Sequence, residues 1–227
     1  MNLLAIDTST EYMGICLKSP DKGDLYFSAR LGLQHAQGLL LWIDRLLEQA
    51  ELIPADLKAI LVNRGPGSFT GLRIGMATAK GMSQALGIPL LSLSALDCYG
   101  KSLAYFDGLV VPLIDAKKKR YYTRIYEQGQ PICDYLDWGR ENIFKHHENS
   151  KPMLFTGPAA KRLYESHPQD NIFLDPHWDQ SPANLLAICG QEALKINPKG
   201  DDLGQGPLYL RKSEAEISLE NKKNGQT

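Results

Sequence analysis

The feature that most constrains the fold is an order of elements that occurs twice along the chain. In each half, hydrophobic patterning predicts three strands, a helix, a strand, a glycine turn, a helix, a strand and a final helix. The pattern begins again after Asp107 and Gly108. A doubly wound sheet would alternate strands and helices from its start, which this sequence does not do. The sequence therefore predicts an α/β protein of two similar halves with a cleft between them.

The domain boundaries follow from this repetition of pattern. We predict that residues 1–106, joined by about 207–213, form the first half, and that residues 107–206 form the second. The charged segment 214–227 has few apolar residues to bury, so we expect it to be a flexible tail.

Composition and charge are those of an ordinary globular protein. The 25 basic and 26 acidic side chains leave a formal charge of −1, so no global field attracts nucleic acid or a membrane. The amino terminus has no basic lead and Asp7 interrupts its apolar run, which does not fit a signal peptide. We expect no membrane span, a cytoplasmic location, and reduced thiols at the four widely spaced cysteines.

A glycine-rich loop, "GPGSFTG", follows an apolar strand that ends at Val62. It lacks the Gly-Lys pair of a phosphate-binding P-loop and the third glycine of a dinucleotide fingerprint. Backbone N–H groups at the start of the next helix could bind an anion. Alternatively, Ser68 or Thr70 caps that helix and the loop binds nothing, and we favour this second interpretation.

Two helices of the first half are candidates for a partner interface. Small residues four apart on the helix after the loop predict close approach of another backbone, from this chain's own sheet or from a second subunit. The preceding helix is apolar on more than one side, which indicates deep burial or an interface. The candidate interface residues are Leu39, Leu40, Ile43, Leu46, Leu47, Gly71, Gly75 and Ala79.

Six segments in this order resemble the TsaB family: "LLAIDTST", "HAQGLLLWIDRLL", "GPGSFTGLRIGMATAKG", "SLSALD", "IDAKKKRYY" and "PLYLR". The resemblance implies the actin/sugar-kinase/Hsp70-like (ASKHA) fold, with two RNase H-like halves. It also implies a non-catalytic subunit that pairs through first-half helices with a TsaD-like transferase, or with itself as a homodimer. A TsaE-like ATPase joins this pair, the complex uses ATP and Mg, and its product is threonylcarbamoyladenosine in tRNA next to the anticodon. The alternative is a small-molecule kinase or ATPase of the same fold.

The turns that bind phosphate in active proteins of this fold are altered here. Active members have an acidic turn with a glycine two residues after the aspartate, whereas this chain has Ser9 there, and the turn after Asp115 also lacks a glycine. The fold would place both Asp7 and Asp115 toward the cleft. We favour the simpler role, in which each carboxylate accepts a hydrogen bond from a turn N–H. The possible nucleotide-binding residues are Asp7, Thr8, Ser9, Gly65, Gly67, Ser68 and Asp115.

The sequence predicts no catalytic residue and no metal site. The catalytic homologue binds its metal through two histidines one helical turn apart, but Leu39 and Leu40 stand one turn after His35. No HExxH or GxSxG string supports a peptidase. The basic run 117–120, followed by Tyr121 and Tyr122, either contacts RNA or forms a solvated hairpin end, and we favour the hairpin end.

Overall fold

The first sheet has five strands in the order β3-β2-β1-β4-β5. The structure is a computed structural model that describes residues 1–32, 35–145, 151–177 and 180–211, with only the backbone described for 35–37. Strands β1 to β3 are antiparallel, and β4 and β5 continue the sheet parallel to β1. Their bounds are β1 Leu3–Asp7, β2 Tyr12–Lys18, β3 Leu25–Arg30, β4 Ala59–Asn63 and β5 Leu90–Leu93.

Three helices follow these strands in the sequence: α1 His35–Gln49, α2 Phe69–Leu86 and α3 Ala95–Ser102. Because side chains alternate along a strand, Leu4 and Ile6 of β1 pack in the core with α1 and α2. Leu3 and Ala5 point to the other face, where Cys98 of α3 joins them. The sequence predicts a helix over residues 70 to about 86, and α2 confirms it; Ser68 Oγ accepts a hydrogen bond from the Gly71 N–H at 3.3 Å.

The second half repeats the strand order of the first. Its bounds are β6 Leu109–Pro112, β7 Ile114–Asp115, β8 Arg120–Thr123, β9 Tyr126–Glu127, β10 Gln130–Pro131, β11 Leu136–Gly139, α4 Arg140–Lys145, β12 Met153–Thr156, α5 Ala160–Ser166 and β13 Ile172–Leu174. A five-stranded sheet has the order β10-β9-β6-β12-β13, with two antiparallel pairings and then two parallel ones, as in the first sheet. The predicted duplication is therefore confirmed at the level of topology. Strands β7, β8 and β11 form a small additional sheet.

The last helix, α6 Ala183–Ile196, packs on the first sheet and not on the second. Ala183 and Leu186 lie in the core cluster of Leu3 and Leu61. A Cβ at Gly190 would lie 2.4 Å from the Leu61 Cδ1 atom, so a larger residue there would force the Leu61 side chain to shift. The prediction that residues 107–206 all belong to the second half is therefore wrong for α6.

Residues 207–211, here called the strap, contact both halves. The Leu208 N–H donates to the Arg64 carbonyl at 2.7 Å, and Tyr209 stacks on Phe69 with 4.5 Å between ring centroids. At the other end, Arg211 Nη2 donates to Asp137 Oδ1 at 2.8 Å. The strap thus joins the loop before α2 to β11 across the cleft. The predicted tail, 214–227, lies outside the described residues.

None of the helices described in the structure is both long enough and apolar enough to span a bilayer.

Candidate functional site

A cleft of about 940 Å³ lies between the two halves. Residues from the turn after β1, the loop before α2, the turn after β7, the start of α5 and the strap line it. Those that matter for the chemistry below are Ser9, Gly67, Ser68, Asp115, Arg162 and Tyr209. The elements predicted to carry a nucleotide site therefore meet at one place, but their functional groups do not all face it.

Asp7 is enclosed by its own chain and does not line the cleft. Its side chain is 0% exposed, and its Oδ1 accepts hydrogen bonds from the Ser9 N–H at 3.0 Å and from Asn63 Nδ2 at 2.8 Å. Its Oδ2 accepts from the Ser181 hydroxyl at 2.8 Å. The expectation that both turn carboxylates face the cleft is wrong for Asp7, because internal donors satisfy both of its oxygens. The predicted role in binding the turn N–H is confirmed.

Ser181 makes this enclosure possible and differs from its predicted role. The sequence predicts Ser181 as the cap of the last helix, but Pro182 occupies the N-cap position and makes no side-chain cap bond. The Ser181 hydroxyl instead points at Asp7, and its carbonyl accepts a hydrogen bond from the Tyr26 hydroxyl. Nearby Tyr26 has its pKa raised to about 12, chiefly by burial.

The glycine loop packs against the turn that follows β1. The Ser68 N–H donates to the Ser9 carbonyl at 2.6 Å, and the Thr8 hydroxyl donates to the Gly71 carbonyl at 2.7 Å. A Cβ at Gly67 would lie 2.4 Å from the Ser9 carbonyl oxygen. Glycine in the loop therefore lets its backbone approach the β1 turn closely, because a side chain at this position would clash with that turn.

Asn63 is a residue of this site that sequence reasoning missed. Its Nδ2 donates to Asp7 Oδ1 and to Ser9 Oγ, each at 2.8 Å. Its Oδ1 accepts from the Gly65 N–H at 2.9 Å and from the Ala95 N–H at 3.2 Å. One amide thus ties the β1 turn, the glycine loop and the start of α3 together. A polar residue at the end of the otherwise apolar strand "AILVN" was the available signal.

Asp115, in contrast, faces the cleft from the second half. Its Oδ1 accepts from the Lys117 N–H at 2.8 Å, which confirms the predicted turn bond, and Arg162 Nη2 lies 3.1 Å from the same oxygen. Burial alone would raise its pKa, but hydrogen bonds and charge from Arg162 and Lys117 outweigh burial and lower that pKa. This carboxylate is therefore ionised and already paired with two cations.

The eight candidate interface residues do not form one surface. Leu39, Ile43 and Leu47 are at most 3% exposed and lie in the first-sheet core. Gly71 and Gly75 of α2 pack on the β1 turn: a Cβ at Gly71 would lie 1.9 Å from the Thr8 carbonyl oxygen. The alternative in which these small residues pack within the chain is therefore correct. The residues corrected from contact to internal packing are Leu39, Ile43, Leu47, Gly71, Gly75 and Ala79.

Part of α1 does face solvent. Leu40 is 62% exposed and Leu41 is 52% exposed, while Leu46 is partly buried. Trp42 turns back toward the sheet, where its ring stacks on Phe27 with 3.9 Å between centroids. We call the exposed pair Leu40 and Leu41 the α1 face. Leu46, six residues after Leu40, lies on another side of the helix. Of the predicted interface residues, Leu40 and Leu46 remain accessible to a partner.

Among the described residues, no group of three or more His, Cys, Asp or Glu side chains is placed to hold a metal ion. The His35 side chain lies outside what the structure describes, and so do the adjacent histidines His146 and His147.

Comparison of the sequence with known families and proteins identifies its relatives. Residues 31–137 match the family model described as TsaD, tRNA N6-adenosine threonylcarbamoyltransferase. The tRNA threonylcarbamoyladenosine biosynthesis protein TsaB of Bacillus subtilis is 31% identical over 95% of this chain and 96% of its own length. The Escherichia coli protein of the same name is 30% identical over 57% of each chain.

Solved structures show the same similarity. A Pseudomonas aeruginosa structure described as an uncharacterized protein with similarity to peptidase YEAZ has a TM-score of 0.76 and 28% identity, and covers 92% of this chain and 99% of its own. YeaZ from the same organism has a TM-score of 0.73 and 26% identity over the same shares. The ethanolamine utilization protein EutJ of Carboxydothermus hydrogenoformans, at 10% identity and a TM-score of 0.51, shares the fold alone, over 83% of this chain and 89% of its own. With its duplicated ASKHA-type halves and a full-length relative above 30% identity, this chain belongs to the TsaB family of tRNA threonylcarbamoyladenosine biosynthesis proteins.

Proposed function

We propose that the chain is a non-catalytic subunit that binds and activates a TsaD-like transferase. That transferase, together with a TsaE-like ATPase, transfers the threonylcarbamoyl group to adenosine in tRNA next to the anticodon. In this proposal the chain holds no cofactor of its own, and the ATP and Mg²⁺ that the complex uses are bound by the other subunits. The free chain forms a homodimer through the same surface that binds the transferase.

The observation that carries this proposal is the α1 face. Leu40 and Leu41, each more than half exposed, stand on a helix that Leu39 and Ile43 fix in the core. Exposed apolar side chains grouped on a rigid element are typical of protein interfaces. Residues 31–137, which match the TsaD family model, include all of α1. A related subunit with a similar helix is a natural partner, because equivalent surfaces on homologous subunits can pair about a pseudo-twofold axis.

The enclosure of Asp7 supports the non-catalytic part of the proposal. A nucleotide-binding relative needs its first-turn carboxylate and backbone open to Mg²⁺ and phosphate. Here the Ser181 hydroxyl covers one carboxylate oxygen, and the Thr8 hydroxyl is bonded to the Gly71 carbonyl. Opening this turn would break several internal hydrogen bonds, each contributing about 1 kcal/mol to stability.

The test is tRNA threonylcarbamoylation reconstituted from purified partner proteins, ATP, threonine and bicarbonate. We expect product only when this chain is present, and none from the chain alone. Leu40→Asp should abolish co-purification with the TsaD-like subunit and reduce product at least tenfold, because a charge enters a desolvated contact. Ile132→Asp changes a residue that is 51% exposed and lies outside α1. This variant is the matched control and should keep both partner binding and product formation.

Two outcomes would contradict the proposal. Full binding and activity of the Leu40→Asp variant would show that the α1 face is not the interface. Nucleotide turnover by the purified chain alone, without partner proteins, would favour the small-molecule kinase or ATPase instead.

A further inference from the structure

The basic segment after β7 forms an exposed turn at the mouth of the cleft. Lys117, Lys118 and Lys119 all have positive φ, from 52° to 61°, and all three are exposed. The turn is closed by backbone bonds from the Arg120 N–H to the Lys117 carbonyl and from the Ala116 N–H to the Arg120 carbonyl, each 3.0 Å. We call residues 117–119 the lysine turn. It presents three successive ammonium groups on a defined backbone.

The left-handed conformation of this turn is unfavourable for lysine. In this region the Cβ lies too close to the following carbonyl oxygen, so residues such as lysine rarely adopt it. The Lys117 side chain is 83% exposed, and its ammonium group contacts only the partly exposed Asp115, at 3.3 Å. Surface pairs of this kind contribute little to stability. The Lys117 side chain therefore adds little stability to offset its left-handed backbone.

The cleft beside the turn is positive although the whole chain is not. Its lining includes six basic side chains, on the lysine turn, α5, β3 and the strap, but only three acidic ones. Asp115, the acid nearest the turn, is shared between Lys117 and Arg162. A net positive patch therefore remains on a chain whose formal charge is −1. Such a local field attracts a polyanion without making the protein basic overall.

Aromatic rings stand in the same cleft. Tyr209 is 38% exposed and stacks on Phe69, and the Arg73 guanidinium lies 3.9 Å from the Phe69 ring centroid. Tyr122 also lines the cleft, beside Arg211. Basic groups next to partly exposed aromatic and guanidinium surfaces favour RNA, whose phosphates bind the cations and whose unpaired bases stack on flat groups.

From this juxtaposition we infer that the lysine turn and the adjacent cleft contact tRNA directly, with the three lysines at backbone phosphates and unpaired bases against Tyr122 and Tyr209. The choice of tRNA over another RNA rests on the proposed function. The inference goes further than that proposal, which requires only contact with tRNA through the complex. It also reverses the preference for a solvated hairpin end that the sequence alone suggested.

The test is the salt dependence of tRNA binding, measured by fluorescence anisotropy with the full chain and an unmodified, end-labelled tRNA transcript. The variant is Lys117→Asn, Lys118→Asn and Lys119→Asn combined, because asparagine removes the charge yet tolerates the left-handed conformation better than lysine. The matched control is Lys58→Gln, Lys195→Gln and Lys199→Gln combined, three exposed lysines that do not line the cleft.

We expect the parent chain to bind with a Kd on the order of 10⁻⁶–10⁻⁴ M, the range of non-specific nucleic-acid binding. The lysine-turn variant should bind at least about tenfold more weakly, and its log K against log salt slope should be shallower by about 2. The control variant should keep the parent's slope. Absence of parent binding across this range, or an unchanged slope in the lysine-turn variant, would overturn the inference.

A parallel measurement separates this inference from the proposed function. The lysine-turn variant should still co-purify with the TsaD-like subunit, whereas Leu40→Asp should still bind tRNA with the parent's salt slope. If the lysine-turn variant loses the protein partner and keeps tRNA binding, the turn is a protein contact and the RNA inference is wrong.

Discussion

Two cysteine side chains at the contact of α3 and α6 show how one internal hydrogen bond changes chemistry at a single residue. The Cys98 thiol bonds to the Cys189 sulfur, and this bond lowers the pKa of Cys189 to about 7 while raising that of Cys98 well above its usual value. In contrast, the pKa of Cys16 is raised to about 11, and burial is the largest cause. Among these thiols, Cys189 is therefore the one whose pKa is lowered, which favours its reactive thiolate form.

Alkylation should reveal this difference. Because thiolate is the reactive form, the rate of Cys189 modification by iodoacetamide should rise with pH through about 7 and level off above about pH 8. Mass spectrometry of the partly labelled chain should find Cys189 modified before the other three cysteines. In Cys98→Ala the midpoint should move upward, since the stabilising donor is gone. Earlier labelling of Cys133, whose pKa is raised chiefly by burial, would contradict the assignment.

At this same scale, the sequence predicted the turn aspartates but not which way they face. Asp7 and Asp115 both accept a hydrogen bond from the N–H two residues later, a local effect that residue type and turn position determine. Whether the second carboxylate oxygen meets solvent depends on distant residues. For Asp7 that residue is Ser181, which is 174 positions away, and no local pattern reports such a contact.

On helix α2, packing against neighbouring elements determines how replacing each glycine changes the stability of the protein. Gly71 faces the β1 turn, where a Cβ would lie 1.9 Å from the Thr8 carbonyl oxygen, whereas a Cβ at Gly81 would meet nothing within 4 Å. Gly71→Ala should lower the free energy of unfolding by about 1–3 kcal/mol, because backbone must move to admit the methyl group. Gly81→Ala, the matched control on the same helix, should raise it by about 0.5–1 kcal/mol through helix propensity.

Urea denaturation followed by circular dichroism measures both changes. Equal effects of the two substitutions would show that α2 does not approach the β1 turn as closely as the structure indicates. Stabilisation by Gly71→Ala would have the same meaning.

Helices and strands whose apolar residues recur at regular spacing were predicted well from the sequence. Helix α2 and the first-sheet strands follow from apolar spacing and from the glycine that ends the helix, Gly87, with φ of 65°. Aromatic and β-branched residues predict a single strand over "RYYTRIYE", but the structure has two strands there, β8 and β9, which belong to different sheets. The two strands are separated at Arg124, which forms tertiary hydrogen bonds. Its guanidinium donates to Asp97 of α3 at 2.9 Å and to the Cys133 carbonyl at 3.0 Å. Such tertiary contacts are invisible to periodicity.

At the scale of the whole molecule, the strap helps to fix the position of one half relative to the other. Arg211 binds the partly buried carboxylate of Asp137 and, through Nη1, the Ala116 carbonyl at 2.8 Å. Arg211→Gln should therefore lower the free energy of unfolding by about 1–3 kcal/mol, as expected for charge-assisted bonds to a group that is mostly shielded from water. It should also speed amide hydrogen exchange at Leu208, whose N–H bonds to the Arg64 carbonyl.

The control for this substitution is Arg140→Gln, since the Arg140–Glu141 pair is well exposed on both sides. Its effect on stability should stay within about 0.5 kcal/mol. If both substitutions have equally small effects, the strap does not hold the halves together, and other contacts between the halves, such as those of α3 with β6, set the cleft width.

The return of α6 to the first sheet also bears on how the protein forms during its synthesis. The face of that sheet formed by Leu3, Ala5 and Leu61 is completed by Ala183 and Leu186 of α6, long after α3 has ended at Ser102. At roughly 5–20 residues per second, a ribosome needs on the order of ten seconds to travel from the end of α3 to the end of α6. During that interval the nascent chain carries an incomplete apolar layer, so this half should rely on chaperones more than a self-contained amino-terminal domain would.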